Sequence, residues 1–157
     1  SYNFTEVSIE DVIKEVIEMN APHAAERKIT LVSTRKGRGA MPIIKADSDS
    51  LRIVIGNLVS NAINYTLPGG KVEVVYKKEG GFVEVDVRDT GVGIPSHQMG
   101  RLFTKFFRGD NVVRMQTSGT GLGLFIAKNI ISAHDGDMGE ESQEGKGSTF
   151  WFRLPIK

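Results

Sequence analysis

The sequence predicts an α+β domain with one layer of helices on one sheet, and three features carry that expectation. Leu51, Val54, Ile55, Leu58, Val59, Ala62 and Ile63 recur at helical spacing, an amphipathic helix with a single buried stripe. Val72, Val74 and Tyr76 occupy alternate positions, and Phe82–Val87 alternates similarly after Gly80-Gly81, which makes an antiparallel hairpin. The chain has 157 residues, 39% of them hydrophobic, and no Pro- or Ser-rich stretch divides it, so one core in one domain is expected.

The remaining elements follow in order. Ser8-Ile9-Glu10-Asp11 reads as a capped helix start, and Ile9, Val12, Ile13, Val16 and Ile17 continue the helix to about Glu26. A strand is expected near Ile29–Thr34, a glycine-containing turn over Lys36–Ala40 and a short strand at Ile43–Ala46. Leu67-Pro68-Gly69-Gly70 ends the long helix. After the hairpin come a glycine-rich turn, a short helix near Ser96–Phe103 and a polar stretch over Gly109–Ser118. A helix over Leu122–His134 and strands near Asp137–Ser142 and Ser148–Leu154 close the chain.

Composition excludes several classes of function. Twenty basic and 19 acidic side chains give a net charge of +1, without the basic excess of a nucleic-acid binder. No apolar run approaches the roughly 18 residues of a membrane span. The start SYNFTEVSIED lacks a basic region and an apolar core, so no signal peptide is expected. Without cysteine there is no disulfide, thiolate zinc site or cysteine nucleophile.

The 18 glycines carry most of the functional signal. Neither a G-x-x-x-x-G-K-S/T nor a G-x-G-x-x-G loop is present. Instead Gly119-Thr120-Gly121-Leu122-Gly123-Leu124 opens into a helix, either to permit a tight turn or to present backbone N–H groups to phosphates. Asp89, in Asp89-Thr90-Gly91-Val92-Gly93-Ile94-Pro95, either organises a turn or stands as a buried carboxylate accepting from an exocyclic amine such as that of adenine. On the long helix Asn57, Asn61 and Asn64 lie within roughly 60° of one another beside the apolar stripe. Asparagine is a poor interior helix residue, so three on one strip point to a site, and amide oxygens are hard ligands suited to Mg²⁺. Tyr65 offers an aromatic face to a base, or packing at the rim.

Taken together, these motifs resemble the catalytic and ATP-binding domain of sensor histidine kinases, in the wider family that includes gyrase and the ninety-kilodalton heat-shock chaperones. Asn57–Tyr65 resembles its N box, Asp89–Pro95 its G1 box, Leu102–Arg108 its F box and Gly119–Leu124 its G2 box, in order and in register. The resemblance implies a Bergerat fold: a two-layer α/β sandwich whose mixed, largely antiparallel sheet is covered on one face by about three helices. It implies ATP and Mg²⁺ as cofactors, with Asn61 as metal ligand and Asn57 supporting metal and phosphates. Asp89 would bind the adenine amine, Tyr65 would pack on the base, and Gly91, Gly93 and Ile94 would shape the pocket. Gly119, Thr120, Gly121, Leu122, Gly123 and Leu124 would hold the phosphates with Asn64 nearby. Arg108 would reach the γ-phosphate, Phe103 would steer a lid over about 109–118, and Thr149 would contact adenine through a water. Asn57 and Arg108 are the catalytic candidates. Two departures stand out: Asn64 where many such kinases have lysine or arginine, and Asp135 in place of a common glycine.

Hydrolysing branches of the family place a glutamate where this chain has Asn57, whose amide is no general base at neutral pH. Transfer to another nucleophile is therefore expected, by alignment and charge neutralisation. His23, His97 and His134 lack the sequence context of a phosphoacceptor and read as structural or surface residues. The resemblance thus implies a monomeric cytoplasmic domain, of a kinase with or without a membrane anchor. Its implied partners are the dimerisation and phosphoacceptor domain of the same kinase and a downstream response regulator. The alternatives are a nucleotide-binding regulatory module that transfers nothing, and a gyrase-like ATPase, against which Asn57 argues.

Overall fold

The computed structural model describes residues 1–91 and 123–157. Its elements are β1 (Thr5–Ser8), α1 (Ile9–Glu26), β2 (Thr30–Arg35), β3 (Ile43–Ala46), α2 (Ser48–Tyr65), β4 (Lys71–Glu79), β5 (Phe82–Asp89), α3 (Gly123–Ala133), β6 (Asp137–Gln143) and β7 (Gly147–Pro155). The short helix expected near 96–103 and the polar stretch over 109–118 lie outside the described residues.

Five strands form the main sheet in the order β2-β4-β5-β7-β6. Only β2 and β4 run parallel, which the connection through β3 and α2 permits; the other neighbours are antiparallel. β1 has no counterpart in the expectations above. It is four residues long and pairs with β3 in a separate two-stranded ribbon, Thr5 opposite Ala46. Its sequence Thr5-Glu6-Val7-Ser8 holds a single apolar side chain, too few to show an alternation.

Side-chain alternation divides the sheet into two chemically different faces. Val72, Val74 and Tyr76 of β4, Val83, Val85 and Val87 of β5, and Phe150, Phe152 and Leu154 of β7 join one hydrophobic core with the helices. All seven residues of the α2 stripe are buried there. Ile9, Val12, Ile13 and Val16 of α1 and Ala127, Ile130 and Ile131 of α3 flank them. The opposite face is polar: the Arg153 guanidinium lies 2.6 Å from Glu84 and 5.1 Å from the Trp151 ring centroid. That ring lies against Gly139, where a Cβ would come within 2.6 Å of it.

Both flanking helices end in the same backbone motif. Lys28 N–H donates to Ala25 and Ile29 N–H to Ala24; Asp135 N–H donates to Ser132 and Gly136 N–H to Ile131. These paired bonds are those of a Schellman motif, which puts the residue after the cap in the left-handed region. Lys28 (φ 59°) and Asp135 (φ 58°) occupy those positions. The tight turn at 135 is thus kept with an aspartate, whose short polar side chain tolerates this conformation better than most. His134 ties the end of α3 to the start of α2: its Nδ1–H donates to the Ile130 carbonyl (2.8 Å), and Nε2 accepts the Asp47 N–H (3.0 Å). Asp47 caps α2 by accepting from Ser50 N–H.

Lys28 is exposed and meets the left-handed requirement without the help of a polar side-chain contact. Lys28→Gly is expected to raise unfolding stability by about 1 kcal/mol, read as a higher urea midpoint at unchanged m-value.

Candidate nucleotide-binding site

Asp89 takes the next place in the row Val83, Val85, Val87, so the alternation that builds the core also points a carboxylate at the helical layer. Its Oδ1 accepts the backbone N–H groups of Gly91 (2.8 Å) and Ser148 (3.2 Å). Burial pushes the acid up to about 6, against the pull of those two N–H groups. Oδ2 has no bond among the described residues.

Two glycines make this arrangement possible. A Cβ on Gly91 would meet the Tyr65 carbonyl oxygen at 2.5 Å and Asp89 Oδ1 at 2.7 Å. Gly147 has φ +119°, and a Cβ there would collide with the Asp89 carbonyl oxygen. The strand end, the turn after it and β7 therefore close on the carboxylate at backbone distance.

The asparagine strip of α2 is half-buried, as is Tyr65. Its three amides differ in their commitments. Asn57 Nδ2 donates to the Gly123 carbonyl (3.2 Å), tying the middle of α2 to the first residue of α3, while Oδ1 has no hydrogen bond among the described residues. Asn64 Oδ1 accepts from His23 Nε2 (2.8 Å). Asn61 makes no bond to another described side chain. Among the described residues no group of three or more His, Cys, Asp or Glu could hold a metal ion.

The structure thus gathers Asn57, Asn61, Asn64, Tyr65, Asp89, Gly91 and Gly123 around one corner of the fold. Leu124 instead packs partly buried against the core. A Cβ on Gly123 would stand at ordinary contact distance, 3.7 Å, from Asn57. Gly93, Ile94, Phe103, Arg108, Gly119, Thr120, Gly121 and Leu122 lie outside the described residues, as do His97 and the 109–118 stretch.

Thr149 is not the residue directly across from Asp89. It stands opposite Arg88 with its side chain on the polar face of the sheet, in line with Trp151 and Arg153, although it lines a cavity of about 410 Å³ that also touches Asp89. Opposite Asp89 is Ser148, which the sequence reading missed; it lies on the helical face, its Oγ 2.7 Å from Ser142 Oγ. Counting back by two from Leu154 through Phe152 and Phe150 arrives at Ser148, so the signal was present in the alternation.

A buried strand-end carboxylate beside a helix that carries a strip of amides, with a second helix opening from a glycine-rich segment, defines a nucleotide-binding domain of the ATPase class. The chain belongs to the family described as histidine kinase-, DNA gyrase B-, and HSP90-like ATPases, which matches residues 46–157. It is 39% identical over 116 residues to the sensor histidine kinase WalK of Bacillus subtilis, which covers 73% of the chain. It is 35% identical over 153 residues to the sensor-like histidine kinase SenX3 of Mycobacterium tuberculosis, which covers 98% of it. The chain spans 19% and 37% of the lengths of these two relatives. The nucleotide-free catalytic domain of histidine kinase ThkA superposes with a TM-score of 0.84 at 30% identity, over 98% of this chain and 96% of that one. Full-length ShkA in complex with AMPPNP gives 0.85 at 31%, over 99% and 32%. ThkA in complex with the response regulator protein TrrA gives 0.79 at 25%, over 98% and 42%. The chain is thus an ATPase domain of that family, similar to the catalytic domains of sensor histidine kinases.

Because folding raises the Asp89 pKa, its contribution is most favourable below the unfolded value near 3.8 and is lost as pH rises through about 6. Asp89→Asn keeps the Oδ1 acceptor and removes the charge. The ligand-free variant is expected to match wild-type stability near pH 4 and to exceed it by about 2 kcal/mol at pH 7.5, measured by urea unfolding across that range.

Proposed function

We propose that these 157 residues form one catalytic and ATP-binding domain that binds Mg-ATP and donates the γ-phosphate to a histidine of another domain. The observation that carries this reading is the state of Asp89: a buried carboxylate with one oxygen satisfied by two backbone N–H groups and the other without a bond among the described residues. An exocyclic amine such as that of adenine fits this acceptor; a carbonyl at the same position would be repelled. Tyr65 borders the base, and Gly91 lets the pocket wall approach it.

Asn61 is the ligand proposed for Mg²⁺, with Asn57 Oδ1 one turn earlier facing metal-bound water or phosphate. When bound, the ion neutralises phosphate charge and fixes the geometry for in-line transfer. With its Nδ2 committed to the Gly123 carbonyl, Asn57 holds the start of α3 beside the strip and offers no base to a water molecule. That favours transfer over hydrolysis. From their motifs, Arg108 is assigned to the γ-phosphate and Gly119, Thr120, Gly121 and Leu122 to the phosphate chain, with Gly93, Ile94 and Phe103 at the pocket wall and lid.

The phosphoacceptor is placed on a separate dimerisation domain of the same kinase. Both described histidines support this: His134 is buried with both ring nitrogens bonded, and His23 is bonded to Asn64. By the likeness to ThkA, which is seen with a response regulator, such a protein is the downstream partner. No described helix is long and apolar enough to cross a membrane. We assign the domain to the cytoplasm as a monomer on its own.

Calorimetric titration is expected to show ATP binding that strengthens with Mg²⁺ and weakens about 100-fold in Asp89→Asn, where a donor replaces the acceptor. Protonation of Asp89 should make wild-type binding about tenfold weaker at pH 5 than at pH 8. Mixing the domain with a dimerisation and phosphoacceptor domain, ATP and Mg²⁺ should then yield acid-labile phosphohistidine on that partner. Binding without transfer would instead favour a regulatory module, and loss of phosphate to water a gyrase-like ATPase. No binding at all would overturn the nucleotide reading.

A further inference from the structure

The last turn of α2 leaves its carbonyl groups without helical partners and contains no basic residue of its own to satisfy them. Arg27, at the end of α1, supplies the donors. Its Nε donates to the Ile63 carbonyl, and its Nη2 donates to the carbonyls of Asn64 and Thr66, each at 3.2 Å. One turn earlier on α1, His23 holds the Asn64 side chain at 2.8 Å. Tyr65 lies within the segment so clamped. Its carbonyl is the surface against which Gly91 packs, and the Gly91 N–H is a donor to Asp89. A contiguous set of contacts therefore runs from the end of α1, through the last turn of α2, to the acceptor carboxylate.

We propose that Arg27 and His23 are positioning residues for nucleotide binding, acting through Asn64, Tyr65 and Gly91 on Asp89; this rests on the function proposed above. Their side-chain bonds go to the end of α2 and not to Asp89 itself. Arg27 sets where α2 ends, and that end is the wall onto which the turn after β5 closes. The requirement is for a planar fork with several N–H groups, which lysine cannot reproduce. A contact that only glued α1 to α2 would have a different signature. The fold contains such a contact at the other end of the same helix pair, where Arg52 donates to Glu15 (2.6 Å) and Asp49 (2.7 Å).

The test compares Arg27→Ala, Arg27→Lys, His23→Ala and Arg52→Ala in the 157-residue chain. Thermal midpoints are measured, with ATP affinity by calorimetry well below all of them. Both Arg27 variants are expected to bind ATP about tenfold more weakly, and His23→Ala, which keeps all three carbonyl bonds, about threefold more weakly. Arg52→Ala should change only the midpoint. In an Asp89→Asn background the Arg27→Ala effect should shrink to less than about threefold, because both act on one acceptor. Arg27 and His23 variants that bind ATP as wild type does, or an Arg27 effect that adds in full to that of Asp89→Asn, would overturn the proposal. If Arg27→Ala does not fold, Arg27→Lys and His23→Ala still decide it. ATP binding left unchanged by Asp89→Asn would overturn the assignment of Asp89 as the acceptor, on which the proposal rests.

Discussion

The packing of α2 on the sheet is the constraint from which the site follows. Its seven apolar residues must face the valines of β4 and β5, and burying them orients the whole helix. Each buried branched side chain is worth about 1.5–3 kcal/mol, so rotation about the helix axis is strongly opposed. Asn57, Asn61 and Asn64 are carried at a set angle to that stripe, and Asp89 sits at the end of one of the strands the stripe packs against. The amides and the carboxylate are thereby held in relation to one another by the hydrophobic core, without a direct bond between them.

Two neighbouring helices then refine that placement. α3 is attached through Asn57 to Gly123, and its far end is attached through His134 to the cap of α2 at Asp47. α1 is attached through Arg52 near one end of α2 and through Arg27 and His23 at the other. The bonds of Asn57, His134 and Arg27 satisfy backbone groups that burial would otherwise leave unpaired, a lapse that costs about 1–3 kcal/mol per group, whereas the Arg52 pair is exposed. The middle helix is held along its length, consistent with a site that must present several polar groups at once.

Asp89 illustrates the tension between stability and function. Burial disfavours its charge, yet a charged or hydrogen-bond-accepting group is what an exocyclic amine requires. The two N–H groups on Oδ1 offset part of the penalty, and close backbone approach at Gly91 and Gly147 makes room for them. On the other face of β5, Asp86 is likewise raised to about 6, chiefly by burial and then by neighbouring Glu84. That carboxylate lies among the ion pairs of the polar face, away from the helical layer.

Local periodicity alone was enough to determine α1, α2, the β4–β5 hairpin and the faces those elements bury, because spacings of 3.6 and 2 are properties of consecutive residues. The asparagine strip and Asp89 were legible for the same reason: each breaks a local rule, polar amides inside a helix and a carboxylate continuing a row of valines. Tertiary structure alone decided the pairing of β1 with β3, the parallel neighbours β2 and β4, and the support of α2 by Arg27, since these join residues about 35 to 40 positions apart. Ser148 falls between the two. Its alternation was written in β7, but only the register against β5 shows which residue stands across from Asp89. Sequence specifies which side of each element is buried; which other element meets that side is settled when the chain closes on itself.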